Sequence, residues 1–462
     1  MIHQGRVVHD LPRAVLPASC AVTPEGHLSI GGRDAVELAR RFGTPLYVFD
    51  EGEIRAACRA YRAALVDPWP ANHIHYAAKA YLAPSLCRLL AEEGLGLDVV
   101  SGGELHVALV SGFDPALIRL HGNNKSEAEL EEACRAGVGA VVIDNLEEIA
   151  LLADICRRLG RRQAVLLRLA PGITAHTHAY LQTGTPDSKF GLAIAGGMAA
   201  EAVRRCLQAA DALDLRGYHT HIGTQILEIE PFGLAAAALA GFAEAMDERH
   251  GYWPAELSPG GGLAIPYTPE EVPPRPAEFA SALMAPITTM AARRDRPLPA
   301  VSIEPGRSIV GRAGVALYTV GNQKEIPGAS RYVAVDGGMA DNIRPPLYSA
   351  RYTLLAANKA LAALEEQPVT VVGRYCEAGD IVAADVSLPP LQRGDLLALA
   401  CAGAYCLPMS SSYNMALRPA VVAVHNGTAR LVERRATYAD LLTLAAADEQ
   451  PGVAEGETRT WR

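Results

Sequence analysis

Between His73 and Ile303 the chain alternates short apolar, β-branched runs with amphipathic helical stretches, eight times over. No other feature constrains the fold as much. Strand–helix–strand repeats build parallel sheet, and eight such units close into a (β/α)8 barrel. The spacing predicts strands at His73–Lys79, Leu95–Ser101, Ile118–Gly122, Ala140–Asp144, Ala164–Leu169, Leu215–Ile222, Glu256–Ser258 and Val301–Ile303. Helices are predicted over Ala83–Glu93, Glu104–Val110 and Leu146–Leu159 and after Glu230, and Ser126 and Glu129 have the spacing of a capping box.

After about Arg312 the texture changes. Strand-like segments at Tyr332–Val335, Val369–Val372, Asp380–Ala383, Leu396–Ala400 and Val421–Val424 are punctuated by Gly, Pro and Asp. They predict a second, mostly β domain, a β-sandwich or β-barrel. The first fifty residues, with a strand at Leu46–Phe49, are assigned to it as well. The expected division is 51–312 for the barrel, 1–50 and 313–448 for the β domain, and 449–462 for a polar tail without fixed structure. A chain of 462 residues, half of them hydrophobic, is too long for one ordinary core and matches two.

A net charge of −9 without a long run of Lys or Arg argues against a nucleic-acid partner. Nine scattered cysteines, none in Cys-x-x-Cys spacing, fit free thiols in a reducing compartment. The polar stretch Met1–Asp10 has no apolar signal-peptide region, and no apolar run reaches the length of a membrane span. The expectation is a cytoplasmic protein that makes no use of a membrane.

In such barrels the chemistry sits at the C-terminal ends of the strands. The residues at those ends are Lys79, Asp98 with Ser101, His121 with Asn123, Asp144, Arg168, His219 with His221, Gly260 to Gly262, and Glu304 with Arg307. A lysine there can form a Schiff base with a carbonyl cofactor, although most single lysines are merely solvated. Gly260-Gly261-Gly262 can bring backbone N–H groups to a phosphate, or can be a tight turn. In Glu304-Pro305-Gly306-Arg307 the carboxylate suits a protonated pyridine nitrogen and the guanidinium an anion; the plainer alternative is an ion pair between the two. His219-Thr220-His221, like His73/His75 and His176/His178, has a spacing that could bind metal. Only one histidine of each strand pair is expected to point into the barrel, so the site is read as metal-free.

A lysine after strand one, a histidine after strand six, a triple glycine after strand seven and Glu-Pro-Gly-Arg after strand eight together resemble the fold-type III pyridoxal-phosphate enzymes. Over roughly residues 25 to 445 the chain is similar to the diaminopimelate decarboxylase family. That similarity includes Asp98-Val99-Val100-Ser101-Gly102-Gly103-Glu104, His121-Gly122-Asn123-Asn124-Lys125-Ser126 and Asp187-Ser188-Lys189-Phe190-Gly191. In the second domain it includes Asp336-Gly337-Gly338-Met339, Arg344-Pro345-Pro346-Leu347-Tyr348, Cys376-Glu377-Ala378-Gly379-Asp380 and Gly403-Ala404-Tyr405.

The resemblance implies pyridoxal 5'-phosphate as cofactor and meso-2,6-diaminopimelate as substrate, converted to L-lysine and CO2. It makes Lys79 the covalent attachment point, places His221 against the ring and pairs Glu304 with the ring nitrogen. Thr224, where many relatives have serine, would hold the phosphate with Gly260, Gly261 and Gly262; Asp98, Pro305, Gly306, Arg307 and Tyr405 complete the cofactor contacts. Arg307, Arg344 and Tyr348 would bind the distal carboxylate, Glu377 the distal amino group, and Tyr405 both cofactor and substrate. Cys376 would donate the proton. Cys376 and Glu377 would reach the site from a partner subunit, which implies a homodimer with shared sites. Tyr81, where many relatives have asparagine, and Cys406-Leu407-Pro408 depart from the pattern.

The residues favour decarboxylation over racemisation, because related racemases carry an arginine where Glu304 stands, which leaves a shallower electron sink. Two arginines also favour a substrate with a distal carboxylate, since a plain diamino acid would leave them unpaired. The alternatives are a decarboxylase for D-lysine or D-ornithine, a metal-dependent amidohydrolase suggested by the His-x-His pairs, and a non-catalytic relative. The glycine triplet argues against the second, and intact Lys79, Glu304 and Cys376 against the third.

Overall fold

The computed structural model describes residues 11–173, 188–328, 330–360 and 365–445, with two short paired strands at Ile2–His3 and Arg6–Val7. Eight parallel strands form the barrel: His73–Ala77, Gly96–Val99, Ile118–Leu120, Ala140–Ile143, Gln163–Ala170, Leu213–His219, Glu256–Gly260 and Ala300–Ile303. Each pairs with the next, and the eighth closes the ring on the first, with Ser302 beside His73 and Ile303 beside Ile74. Closure leaves no open sheet edge.

The helices between strands bury one face, and three of them start at side-chain caps, Ser101, Ser126 and Asn145. Leu146–Leu159 starts at Asn145, whose side chain accepts the N–H groups of Glu147 and Glu148, and stops at left-handed Gly160. It packs Ile149, Leu152, Ala153, Ile155 and Cys156 inward. The capping box is present: Ser126 accepts from the Glu129 N–H, and Glu129 accepts from the Ser126 N–H.

Two boundaries differ from the sequence reading in ways that matter. Lys79 lies beyond the first strand, in a 3-10 turn over Ala78–Ala80. The sixth strand stops at His219, three residues before Ile222, because the chain leaves the ladder and turns through Gly223 at φ 146°. Both changes free reactive side chains from the sheet.

The second domain is built around a twelve-residue strand, Gly314–Glu325, that sequence reading does not single out. Its apolar first half, GVALYTV, gives way to the polar GNQKE, so it shows no continuous alternation. It pairs antiparallel with Leu46–Asp50, Arg331–Val335 and Leu396–Leu399. Leu46–Asp50 also pairs in parallel with Ala420–His425, so a strand from before the barrel lies inside the sheet that follows it.

Tyr81 ties the two domains together. Its ring stacks on Phe49 at 4.6 Å, and its hydroxyl donates to Glu433 at 2.8 Å. The departure at this position therefore falls on a domain contact. Among the described residues, no helix is long and apolar enough to cross a membrane. His176, His178, Asp187 and the tail 449–462 lie outside the described residues.

Candidate active site

A cavity of about 420 Å³ opens at the C-terminal ends of the barrel strands. Lys79, Asp98, His121, Arg168, His219, His221, Thr224, Glu304 and Arg307 line it from the barrel; Arg344, Tyr348, Tyr405 and Met409 line it from the sheet domain. Strands end here by construction, so six of the eight strand ends deliver polar groups to one place without breaking the hydrogen-bonded ring.

Lys79 is partly buried at the cavity wall. Burial works against its ammonium form, but Tyr405, Asp98 and Glu304 outweigh it and hold the lysine above its ordinary pKa. Across the cavity, His221 is pushed well below the usual histidine range by burial, reinforced by Lys79 and Arg168. Its imidazole is thus neutral, and its Nδ1 accepts the N–H of Gly261 at 3.3 Å, which fixes the plane of the ring.

Glu304 is buried, 6% exposed, and does not pair with Arg307. Its Oε2 accepts from His219 Nε2 at 2.9 Å and its Oε1 from the Ser258 hydroxyl at 3.3 Å. His121 Nε2 lies 3.3 Å from Oε1 and 3.5 Å from Asp98 Oδ1. Burial pushes the carboxyl up, but His219 and His121 more than reverse this and hold it well below the usual range. Asp98, with the same burial and Glu304 nearby, is raised.

His219 and His221 both line the cavity, which corrects the expectation that one of them would point away. Positions two apart on a strand share a face. The ligand atoms of His121, His219 and Glu304 lie within 4.8 Å of one another, so the argument from strand geometry does not disfavour a cation there. The direct His219–Glu304 contact has the length of an ordinary hydrogen bond.

Arg307 donates to the Thr224 hydroxyl from Nε at 3.3 Å and from Nη2 at 3.2 Å, and to the Tyr267 hydroxyl from Nη1. Arg344 donates from Nε to the Tyr352 hydroxyl at 2.9 Å. Its Nη1 is buried with no partner among the described residues. Both guanidiniums lie over the rings of Tyr267 and Tyr405, and Arg344 also over Tyr348. Tyr267 and Tyr352 were not legible as site residues; their only signal was proximity in sequence to the Gly triplet and to Arg344.

Gly260, Gly261 and Gly262 do not line the cavity walls. A Cβ on each would meet the carbonyl oxygens of Thr220 at 2.4 Å, Glu304 at 2.0 Å and Gly223 at 2.2 Å. The triplet is required first by the close packing of three loops. Pro305 and Gly306 likewise lie behind the wall, with Gly306 against the Cβ atoms of Ala77 and Ala80. Cys376 and Glu377 are exposed and line no part of their own chain's cavity. Cys376 is the one exposed thiol of the nine.

The residues present suit a pyridoxal group: an amine for its aldehyde, a neutral flat imidazole for its ring, a buried anion for its nitrogen, and Thr224 beside Arg307 for its phosphate. A barrel with that lysine and that carboxylate defines a pyridoxal-dependent decarboxylase, and residues 51–311 match the family model described as the pyridoxal binding domain of pyridoxal-dependent decarboxylases. The diaminopimelate decarboxylase of Bacillus subtilis is 44% identical over 91% of this chain and 95% of its own length. That of Mycobacterium bovis is 44% identical over 95% and 99%. A crystal structure of diaminopimelate decarboxylase from M. jannaschii in complex with L-lysine superposes with a TM-score of 0.86 at 32% identity, over 93% of this chain and 98% of that one. The chain belongs to the diaminopimelate decarboxylase family.

Proposed function

We propose that this protein uses pyridoxal 5'-phosphate to decarboxylate meso-2,6-diaminopimelate, giving L-lysine and CO2. The observation that carries the substrate is Arg344. Arg344 lines the cavity and pairs with no carboxylate among the described residues, and a buried guanidinium so placed calls for an anion, which a distal carboxylate supplies. D-lysine and D-ornithine, the nearest alternatives, would leave it unpaired.

When bound, the cofactor supplies a ring that accepts the electron pair left on the α-carbon as CO2 departs. Lys79 anchors it, neutral His221 stacks on it, and Glu304 keeps its nitrogen protonated. Thr224, Arg307 and the backbone around the glycine triplet hold the phosphate, with Asp98, Pro305 and Gly306 close by. Arg307, Arg344 and Tyr348 orient the distal carboxylate and Tyr405 spans both molecules. The carbon that loses CO2 then takes a proton.

That proton is assigned to Cys376, and the distal ammonium to Glu377, both from a partner subunit in a homodimer. Exposure of both residues on their own chain supports this reading. The division at about residues 51–312 and 313–448, with the N-terminal strand in the second domain, is proposed on the sheet pairings. A cytoplasmic location is proposed on the nine free cysteines.

The test is a panel of meso-diaminopimelate, D-lysine and D-ornithine scored for CO2 release. A preference of about 100-fold or more for the first is expected, as for a site built to bind a polar group that its competitors lack. Equal turnover of D-lysine would overturn the substrate assignment.

A further inference from the structure

We propose that His219 is a positioning residue that keeps Glu304 ionised and aimed at the ring nitrogen. The inference rests on the pyridoxal-dependent reading of the cavity but not on which amino acid is the substrate. It begins from a conflict. Glu304 is buried, and a carboxyl in such a place takes up a proton unless donors oppose it. A protonated Glu304 could offer the pyridine no charge.

The geometry resolves the conflict without a cation. An ionised carboxylate only accepts, so the 2.9 Å contact puts the imidazole proton on Nε2 of His219. The other nitrogen, Nδ1, is buried with no partner among the described residues, as suits a bare lone pair better than a stranded N–H. Burial lowers His219 to about 4, so the ring donates while neutral. His121 stands edge-on to it, with centroids 4.9 Å apart, and its Nε2 lies close to both Asp98 and Glu304 without hydrogen-bonding to either. Ser258 fills a further lone pair. His219 and Ser258 thus hold one carboxylate oxygen each before any ligand arrives.

The test uses apoprotein reconstituted with pyridoxal phosphate labelled with ¹⁵N in the ring, because the ¹⁵N shift reads protonation of that nitrogen directly. His219→Gln keeps a donor and should keep the protonated shift. His219→Phe keeps a ring but no donor; its shift should move toward neutral pyridine. Its kcat should fall about 10- to 100-fold, as for the loss of an outer supporting hydrogen bond, while KM stays within about twofold. Should the Phe variant fail to fold, His219→Asn, too short to reach Glu304, should show the same loss. A His219→Phe protein with wild-type shift and wild-type kcat would overturn the proposal. So would a stoichiometric metal in the wild type that both variants lose, which would make the cluster a cation site. A wild type that binds no pyridoxal phosphate would instead sink the functional reading itself.

Discussion

The backbone N–H of Tyr405 donates to the carbonyl oxygen of Ala80 at 2.9 Å, one residue beyond Lys79. Tyr405 holds a left-handed backbone, φ 60°, to make that contact. A loop of the sheet domain is thereby fastened to the turn that carries Lys79. The cavity has walls from two domains, but the relation between those walls is set by a direct bond.

Lys79→Ala should remove both the yellow absorbance and the activity. No other lysine lines the cavity among the described residues, so turnover should drop by about 1,000-fold or more, ~4 kcal/mol at 1.36 kcal/mol per tenfold. Absorbance spectra of the purified variant check the first, and CO2 release the second. Full activity would refute the cofactor assignment.

Arg344→Leu should lower kcat/KM for meso-diaminopimelate about 100-fold, because a charge-assisted hydrogen bond in a buried site contributes about 3 kcal/mol. Turnover of D-lysine should change far less. Steady-state kinetics on both substrates give the ratio; an equal loss on both would show that Arg344 only braces Tyr267, Tyr348 and Tyr405.

Mixing inactive Lys79→Ala and Cys376→Ala subunits should restore activity if each site draws on two chains. In a mixed dimer one site inherits both defects and the other neither. Random reassociation makes about half the dimers mixed, so roughly a quarter of wild-type activity should return. No recovery after proven subunit exchange would place the whole site within one chain.

Asp341 offers a pH test of stability outside the chemistry. It is buried beneath Tyr318, whose hydroxyl donates to it at 2.6 Å, and burial raises it to about 6. The folded state therefore holds the proton more tightly than the unfolded chain, where the group titrates near 4. Its contribution is fully present below about pH 4 and is lost as pH rises through 6, by up to roughly 3 kcal/mol. Urea unfolding of the wild type and Asp341→Asn between about pH 4 and pH 7 should show their stability difference shifting against the wild type. A constant difference would mean that Asp341 stays in one protonation state.

The barrel was legible because several of its strands are short apolar runs bounded by turn residues, as in AVVI before Asp144-Asn145. The long Gly314–Glu325 strand was not, because half of it faces solvent at the sheet's end and carries Asn, Gln, Lys and Glu. At the site, Lys79, His221, Glu304 and Arg307 were visible as titratable side chains at strand ends. Tyr267 and Tyr352 were not, because an aromatic residue in a loop looks the same in sequence whether it fills space or cradles a guanidinium. His219 was visible beside His221 but received no role, because only one histidine of the pair was expected to point inward, whereas positions two apart share a face.

The glycine triplet has a consequence for how the cavity can move and change. Backbone carbonyls of the sixth- and eighth-strand loops press into the spaces where side chains of the seventh would stand. The loops that carry His221, Thr224 and Glu304 are therefore parts of one casting. A displacement of any one of these loops must carry the other two with it, so this side of the mouth cannot be retuned one loop at a time. Arg344, Tyr348 and Met409, which line the same cavity, hang from a different domain and lie outside that casting.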